Sequence, residues 1–402
     1  MAPLEGALPI PPIPMSPRTP GLCARPEHAD IVYPSAIPFV LVHVACFAAV
    51  WTGVSPGTLI LCGVLYGVRM FGVCAGYHRY FSHRSYATSR AMQFVLAVLA
   101  QSSAQSSVLW WAAKHRHHHR FSDTDQDVHS PVRRGFLHSH VGWVFERRNR
   151  GTDLVQVEDL AQFPELRWLH RFELAPAVLA GVLSYAIAGW QGVVVGFLWS
   201  TVLLYHATFS INSVAHVWGR SRYVTADGSR NNALLALLTL GEGWHNNHHA
   251  YQSSARQGFR WWEIDPTYYG LLGLAKLRLV WDLKSPPAAV VANAHQLPSR
   301  VVQRAAEQLA EAFNPDLIAV ALRSAAPEFR LAEVQARLAE AGQKAADELR
   351  ALGHVALPSR EAMLARASAR FPRSRSLDDI VDRAHELVLA AVGARLALKA
   401  AD

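Results

Sequence analysis

The sequence predicts an all-α integral membrane protein: four transmembrane helices as two hairpins, a cytosolic helical cap, and a C-terminal soluble helical appendage. Composition is the first reason. Across 402 residues, 51% are hydrophobic and 17% charged, a balance unlike that of an ordinary soluble chain. Placement is the second: the apolar residues form four long runs before residue 211, each close to the roughly 20 residues that cross a hydrocarbon core about 30 Å thick. The third is charge. Arg and Lys crowd residues 78–173, between the second and third runs, which puts that segment and both termini on the cytosolic side.

Residues 1–30 are punctuated by eight prolines from Pro3 to Pro26 and are expected to form an extended, disordered arm. They lack the basic start and apolar core of a cleavable signal peptide. Residues 31–295 are expected to be the membrane domain. Its first hairpin joins Ile37–Val54 to Gly57–Tyr77 through a short uncharged link, and its second joins Leu174–Trp190 to Gly192–Ile211. Ala91–Phe121 turns polar at QSSAQSS and is expected to be one cap helix, not a fifth span. Trp261, Trp262, Tyr268 and Tyr269 suit an interfacial aromatic belt. Cys46, Cys62 and Cys74 lie inside apolar runs as small core residues. Beyond Pro286 and Pro287 the chain becomes rich in Ala, Leu, Arg and Glu with helical periodicity. Residues 296–402 are therefore expected to be a separate appendage that metal binding does not need.

The net charge of +8 suits anionic lipid, a phosphorylated substrate or an acidic redox partner; no nucleic-acid partner is expected. The bias toward Arg and Ala points to a GC-rich bacterial genome, and so to a multi-pass protein of a bacterial inner membrane.

Histidine spacing carries the chemistry. GEGWHNNHH places His245, His248 and His249 at offsets zero, three and four, within one arc of about 100° on a helix. HRHHH places His115, His118 and His119 on one face, with His117 pointing the other way. In HRYFSH, His78 and His83 are five apart, about 140° on an unbroken α-helix, so the helix is expected to end near Tyr80. INSVAH sets Asn212 and His216 one turn apart. Nine imidazoles exceed one tetrahedral zinc and fit two metal ions. His43 and His206 stand inside the apolar runs without cluster partners and are expected to be packed, hydrogen-bonded histidines. Arg69, within the second run, has no acidic partner in the neighbouring runs and no evident role.

HRYFSH, HRHHH, NSVAH and GEGWHNNHH together resemble the histidine boxes of the membrane-bound fatty acyl desaturases, the stearoyl-CoA (delta-9) desaturase family. DTDQDVHSP and RRGFLHSHVGW are similar to its connecting segment, and GWHNNHHAYQSSARQG and WWEIDPTYYG look closest to its bacterial, cyanobacterial and plant branch. The resemblance covers about residues 31–285. It implies two Fe2+ ions held by His78, His83, His115, His118, His119, His216, His245, His248 and His249, with Asn212 acting through a water. It further implies O2, two electrons from a ferredoxin, rubredoxin or cytochrome b5 type donor with its reductase, and a cis double bond, at delta-9 of a C16 or C18 acyl chain, as the product. An unactivated C–H bond gives an acid or base no handle, so a metal oxidant is required. The acyl carrier is left open between coenzyme A, carrier protein and glycerolipid.

The same resemblance assigns Gln105 and Trp111 to the thioester end of the acyl chain, Arg147 and Arg148 to coenzyme A phosphates, and Thr208 and Phe209 to a bend in the acyl tunnel. It puts Tyr66 and Met70 at the closed tunnel end, where Met70 would shorten the tunnel and favour palmitoyl chains. Two other readings stay open: a di-iron membrane hydroxylase of the alkane or sterol oxidase type, and a zinc-binding membrane receptor or hydrolase.

Overall fold

The computed structural model describes residues 33–325 and 358–398; the proline-rich arm lies outside them. The described chain is predominantly helical. Helix α1 (Tyr33–Ala45) continues through a 3-10 turn to Thr52 and stops at Gly53. Helix α2 (Pro56–Phe71) starts at a capping box between Ser55 and Thr58, with Pro56 in its first turn. Helices α3 (Arg90–Gln101), α4 (Val108–Phe121) and α5 (Pro164–Arg171) follow. Then come α6 (Ala175–Gln191) and α7 (Ser200–Val217), linked by π-helical turns over Gly192–Trp199.

The chain leaves helical geometry at Ala188 (φ −144°, ψ 26°) and Gly189 (φ 56°, ψ −146°), so α6 and the segment leading into α7 form two arms of a hairpin. Gly192 lets the arms close, because a Cβ there would lie 2.1 Å from the Ser184 carbonyl oxygen. Gln191 fastens this turn to the α1–α2 link. Its Oε1 accepts from Ser55 Oγ at 2.6 Å, and its Nε2 donates to the Thr52 carbonyl at 3.1 Å. By length and apolarity Pro56–Ser82 and the folded Ala175–Val217 qualify as membrane-crossing, while Ala36–Thr52 falls short.

Three local expectations change. Ala91–Phe121 is two helices, interrupted where Ala104 (φ 58°) and Ser106 (φ 64°) take left-handed conformations. The serine-rich stretch competes with helical bonding: Ser102 and Ser103 hydroxyls donate to the Leu99 and Ala100 carbonyls, and Ser107 accepts from Trp110 N to start α4. The helix after α2 does not end at Tyr80 either. It widens into a π-helix over Gly72–Ser82, and His83 N donates to the His78 carbonyl at 3.2 Å. Bonding from i to i+5 stacks residues five apart, so His78 and His83 share a side, with ring centroids 4.9 Å apart.

Arg69 also gains an account. It is 1% exposed. Its guanidinium donates to Thr201 Oγ1 at 2.8 Å, to Ser200 Oγ, and to the Ser102 and Phe197 carbonyls at 3.3 and 3.4 Å, and it lies over the Phe197 ring. It joins α2 to the start of α7 and the end of α3. Sequence reasoning sought a carboxylate, whereas hydroxyls and carbonyls from separate segments satisfy the charge.

Further on are α8 (His245–Ala250) and α9 (Pro266–Lys276). A two-residue antiparallel pair, β1 (Ala87–Thr88) with β2 (Val280–Trp281), brings the chain back beside the end of the π-helix. Helices α10 (Ser299–Ala310), α11 (Pro315–Ala325), α12 (Arg360–Arg370) and α13 (Leu377–Leu398) complete the C-terminal part. Their core gathers Leu309, Met363, Ile380, Val381 and Val388, and Val224, from the segment between α7 and α8, is buried in it.

Candidate metal centre and substrate cavity

The histidines converge as two groups. His78, His83, His115, His119 and His248 form one; His118, His216, His245 and His249 form the other. Within each group the ligand atoms lie within 4.8 Å of one another. Helices α4 and α8 each serve both groups, because positions three and four apart diverge just enough to point at adjacent centres. His115 and His119 face the first group and His118 the second; His248 faces the first, and His245 and His249 the second.

Backbone geometry makes this convergence possible. Gly241 (φ 115°) precedes α8, and a Cβ there would meet Asp265 Oδ1 at 2.4 Å. Arg79, 1% exposed, holds the surroundings together. It donates to Glu242 Oε1 at 3.1 and 3.2 Å, to Asp265 at 2.9 and 3.1 Å, and to the Ala255 carbonyl at 2.7 Å. A buried guanidinium so fully bonded fixes the π-helix against the segment carrying α8.

Carboxylates set the tautomers. His118 Nδ1 donates to Asp127 at 3.0 Å, His216 Nδ1 to Asp123 at 3.0 Å, His249 Nδ1 to Asp227 at 2.6 Å, and His78 Nδ1 to Glu242. With Nδ1 held by the carboxylate, each of these rings offers its Nε2 inward to a metal; without one, burial is outweighed by Asp123, which raises the His216 imidazole to about 9. The inward nitrogens crowd: His78 and His248 are 3.0 Å apart, His119 and His248 2.9 Å, His83 and His115 2.9 Å, and His216 and His245 3.1 Å. His249 Nε2 is buried without a hydrogen-bond partner. Imidazole nitrogens gathered this closely in a buried pocket, one of them without a hydrogen-bond partner, form a donor set that fits metal ions.

Electrostatics agree. Burial first, then neighbouring imidazoles, holds His119, His245 and His248 well below the usual histidine range, so these rings stay neutral. Burial alone would raise the carboxylates, but the adjacent His78 and Arg79 hold Glu242 at about 2, and His249 holds Asp227 well below its usual range. These four carboxylates were not assigned from sequence. The acidic run of DTDQD beside HRHHH was the available signal for Asp123 and Asp127; Asp227 had none, because only the fold brings its loop to α8.

A cavity of about 710 Å³ opens beside the first group, within the range of a small-molecule site. His115, Gln105, Trp111, Thr208, Phe209 and Asn212 all line it. Trp111 stacks on Tyr77 and on His115, with centroids 5.2 and 4.8 Å away. Gln105 Nε2 donates to Thr208 Oγ1 at 3.1 Å, joining the α3–α4 link to α7. Sequence reasoning missed Phe39, Tyr205, Lys114 and Arg150 on the wall. Arg147 and Arg148 are not on it; Arg148 donates to Glu146 Oε2 at 2.8 Å and lines a smaller neighbouring cavity. Arg150, two to three residues on, lines the main cavity.

Tyr66 and Met70 are not wall residues either. Tyr66 donates to the Leu238 carbonyl at 2.5 Å, and Met70 is 1% exposed in the core. His117 points away, to the Gln126 carbonyl at 2.8 Å. His43 and His206 are hydrogen-bonded as expected: their Nε2 atoms are 3.0 Å apart, and His206 Nδ1 is 3.0 Å from His140 Nε2.

Residues 55–280 match the family model for fatty acid desaturase. The chain is 38% identical over 248 residues to an acyl-CoA 5-desaturase of Anemone leveillei, covering 61% of this chain and 77% of that one. It is 36% identical over 223 residues to an sn-1 stearoyl-lipid 9-desaturase of Synechocystis, covering 55% and 70%. A hex-5-enoyl-[acyl-carrier protein] acetylenase of Moorena producens is 35% identical over 263 residues, covering 60% and 81%. With its histidine groups and apolar helices, the chain belongs to the fatty acid desaturase family and is an oxidoreductase of lipid metabolism.

Proposed function

We propose that this protein is a multi-pass membrane desaturase that inserts a cis delta-9 double bond into saturated C16 or C18 acyl chains. The observation that carries the reading is that His115 belongs at once to a histidine group able to hold a metal and to the wall of a cavity of about 710 Å³. Two iron ions, when bound, supply O2 activation and the oxidising power to remove hydrogen from adjacent methylenes. His78, His83, His115, His119 and His248 would hold one iron. His118, His216, His245 and His249 would hold the other, with Asn212 acting through a water.

The chain's own residues do the positioning. Trp111, stacked between Tyr77 and His115, gives the substrate a flat apolar wall beside the metals. The Gln105–Thr208 bond braces the cavity across from it, and Phe209 shapes the turn of the acyl chain. Lys114 and Arg150 supply positive charge to the same cavity, which suits a phosphate-bearing carrier such as coenzyme A or an anionic lipid head. Electrons come from an external donor of ferredoxin, rubredoxin or cytochrome b5 type.

Membrane placement is supported by exposed apolar residues along all four long helices. Phe47, Val50 and Trp51, Ile60 and Val64, Val182 and Ile187, and Leu203 are each about half exposed or more, an arrangement water does not favour. The two hairpins support four crossings, the Arg and Lys of residues 78–173 support both termini and the histidine boxes on the cytosolic side, and the Arg and Ala bias supports a bacterial inner membrane. Trp261 and Trp262, exposed beside the cap, suit the headgroup layer.

The test is expression in a desaturase-deficient host with gas chromatography of total fatty acids. A new monounsaturated acid with its double bond at carbon nine supports the proposal. A hydroxylated acid, or no new acid from a chain carrying two irons, overturns it.

A further inference from the structure

The loop between α7 and α8 reaches both the second histidine group and the C-terminal helices. On its inner side, Gly228 N donates at 2.7 Å to Asp123 Oδ2, the carboxylate oxygen that accepts from His216. Asp227 accepts from His249, and its own position is fixed by Ser229 N at 3.1 Å and by the Thr225 hydroxyl, which donates to its carbonyl at 3.0 Å. Arg222 N and Tyr223 N donate to Asn246 Oδ1 at 2.7 and 2.8 Å, gripping α8 between His245 and His248.

On its outer side, Val224 is 3% exposed within the core of α10–α13, among Leu309, Ile380 and Val388. Tyr223 donates to the Val291 carbonyl at 3.2 Å, and the chain just beyond is tied to the appendage. There Asn293 Nδ2 donates to the Arg373 carbonyl at 2.5 Å, and at the start of the appendage itself Leu297 N donates to Ser376 Oγ at 3.0 Å and Gln296 Nε2 to Asp379 at 3.1 Å.

From this connection we infer that the C-terminal helical unit is a clamp for the second metal site: by burying Val224 it holds the 219–231 loop in the shape that aims His216 and His249. The inference rests on the reading that each histidine group binds a metal ion. It reverses the expectation that residues 296–402 are dispensable for metal binding. It is also selective, because Asp227 of the loop and its neighbour Asp123 serve His249 and His216, whereas His78 is oriented by Glu242. Burying Val224 adds an apolar anchor to the hydrogen bonds of the loop and offsets part of the entropy lost in ordering it.

The test uses full-length protein in detergent, loaded anaerobically with ferrous iron. Val224→Asp, and Leu309→Asp within the appendage core, are compared with Val224→Ile and Leu309→Met. Iron per chain is measured together with the Mössbauer spectrum and hydrogen exchange over residues 219–231. The aspartate variants are expected to fall from two irons to one, with faster exchange in the loop, while the conservative variants keep two. Two irons in both aspartate variants, or parallel loss of both irons, overturns the clamp. Wild-type protein that binds fewer than two irons removes the premise, and the inference with it.

Discussion

Asp227 and His249, 22 positions apart, meet with 2.6 Å between Oδ2 and Nδ1. A carboxylate in this position fixes the tautomer and raises the basicity of the opposite nitrogen. Asp227→Asn keeps the shape but weakens the acceptor, and is expected to reduce affinity for the second metal by about ten- to a hundredfold. Competition with a chelator of known affinity measures it; unchanged affinity would remove the carboxylate from the metal site.

Replacing any of the nine grouped histidines by alanine is expected to cut iron content and abolish product, since each inward nitrogen has no neighbour able to substitute. His117→Ala should retain most activity, because that ring bonds the Gln126 carbonyl on the far face of α4. An inactive, normally expressed His117→Ala protein would contradict the helical phase assigned to α4.

The metal-free protein should lose stability as pH falls below the ordinary histidine value of about 6.5. His119, His245 and His248 are held well below that value, so in the window beneath it the unfolded chain takes up protons that the folded chain refuses. Stability therefore rises with pH across this window, by about 1.4 kcal/mol per pH unit for each such histidine. A second loss follows below about pH 4, where Glu242 and Asp227, depressed in the folded state, no longer favour it. Thermal denaturation of iron-free protein across this range is the measurement, and a flat Tm between pH 7 and pH 5, roughly the upper window, would refute the assignment of neutral buried rings.

Arg69→Met should lower Tm while leaving two metal ions bound. The substitution keeps much of the apolar stem but removes the donors to Thr201, Ser200 and the Ser102 carbonyl, each bond to a charged group being worth about 1.5–3 kcal/mol. A variant with wild-type Tm would mean that the guanidinium merely occupies space.

Chain-length preference should respond to the cavity wall. Phe209→Ala and Tyr205→Ala enlarge a wall that both residues line and are expected to shift the ratio of C18 to C16 product. Met70→Ala should leave that ratio unchanged, because Met70 packs in the core away from the wall. Product ratios at matched expression decide. A shift with Met70→Ala alone would restore the deeper tunnel end suggested by the family resemblance.

Local chemistry was legible in the residues alone: which stretches are apolar, which histidines cluster, and which helix face the histidines of HRHHH and GEGWHNNHH occupy. Spacing within HRHHH and GEGWHNNHH suffices for this, because an α-helix fixes the relative direction of neighbours three and four apart. How the nine rings divide between two groups depends on packing between distant segments. His118 and His119 are adjacent in the chain yet face different groups, and their partners arrive from α7, α8 and the π-helix. The pairing of His78 with His83 needed i to i+5 bonding, which α-helical arithmetic could not anticipate. Arg69, Asp227 and Val224 were silent for the same reason: each acts on a partner far away in sequence, and residue patterns record local periodicity while contacts between distant segments depend on packing of the whole chain.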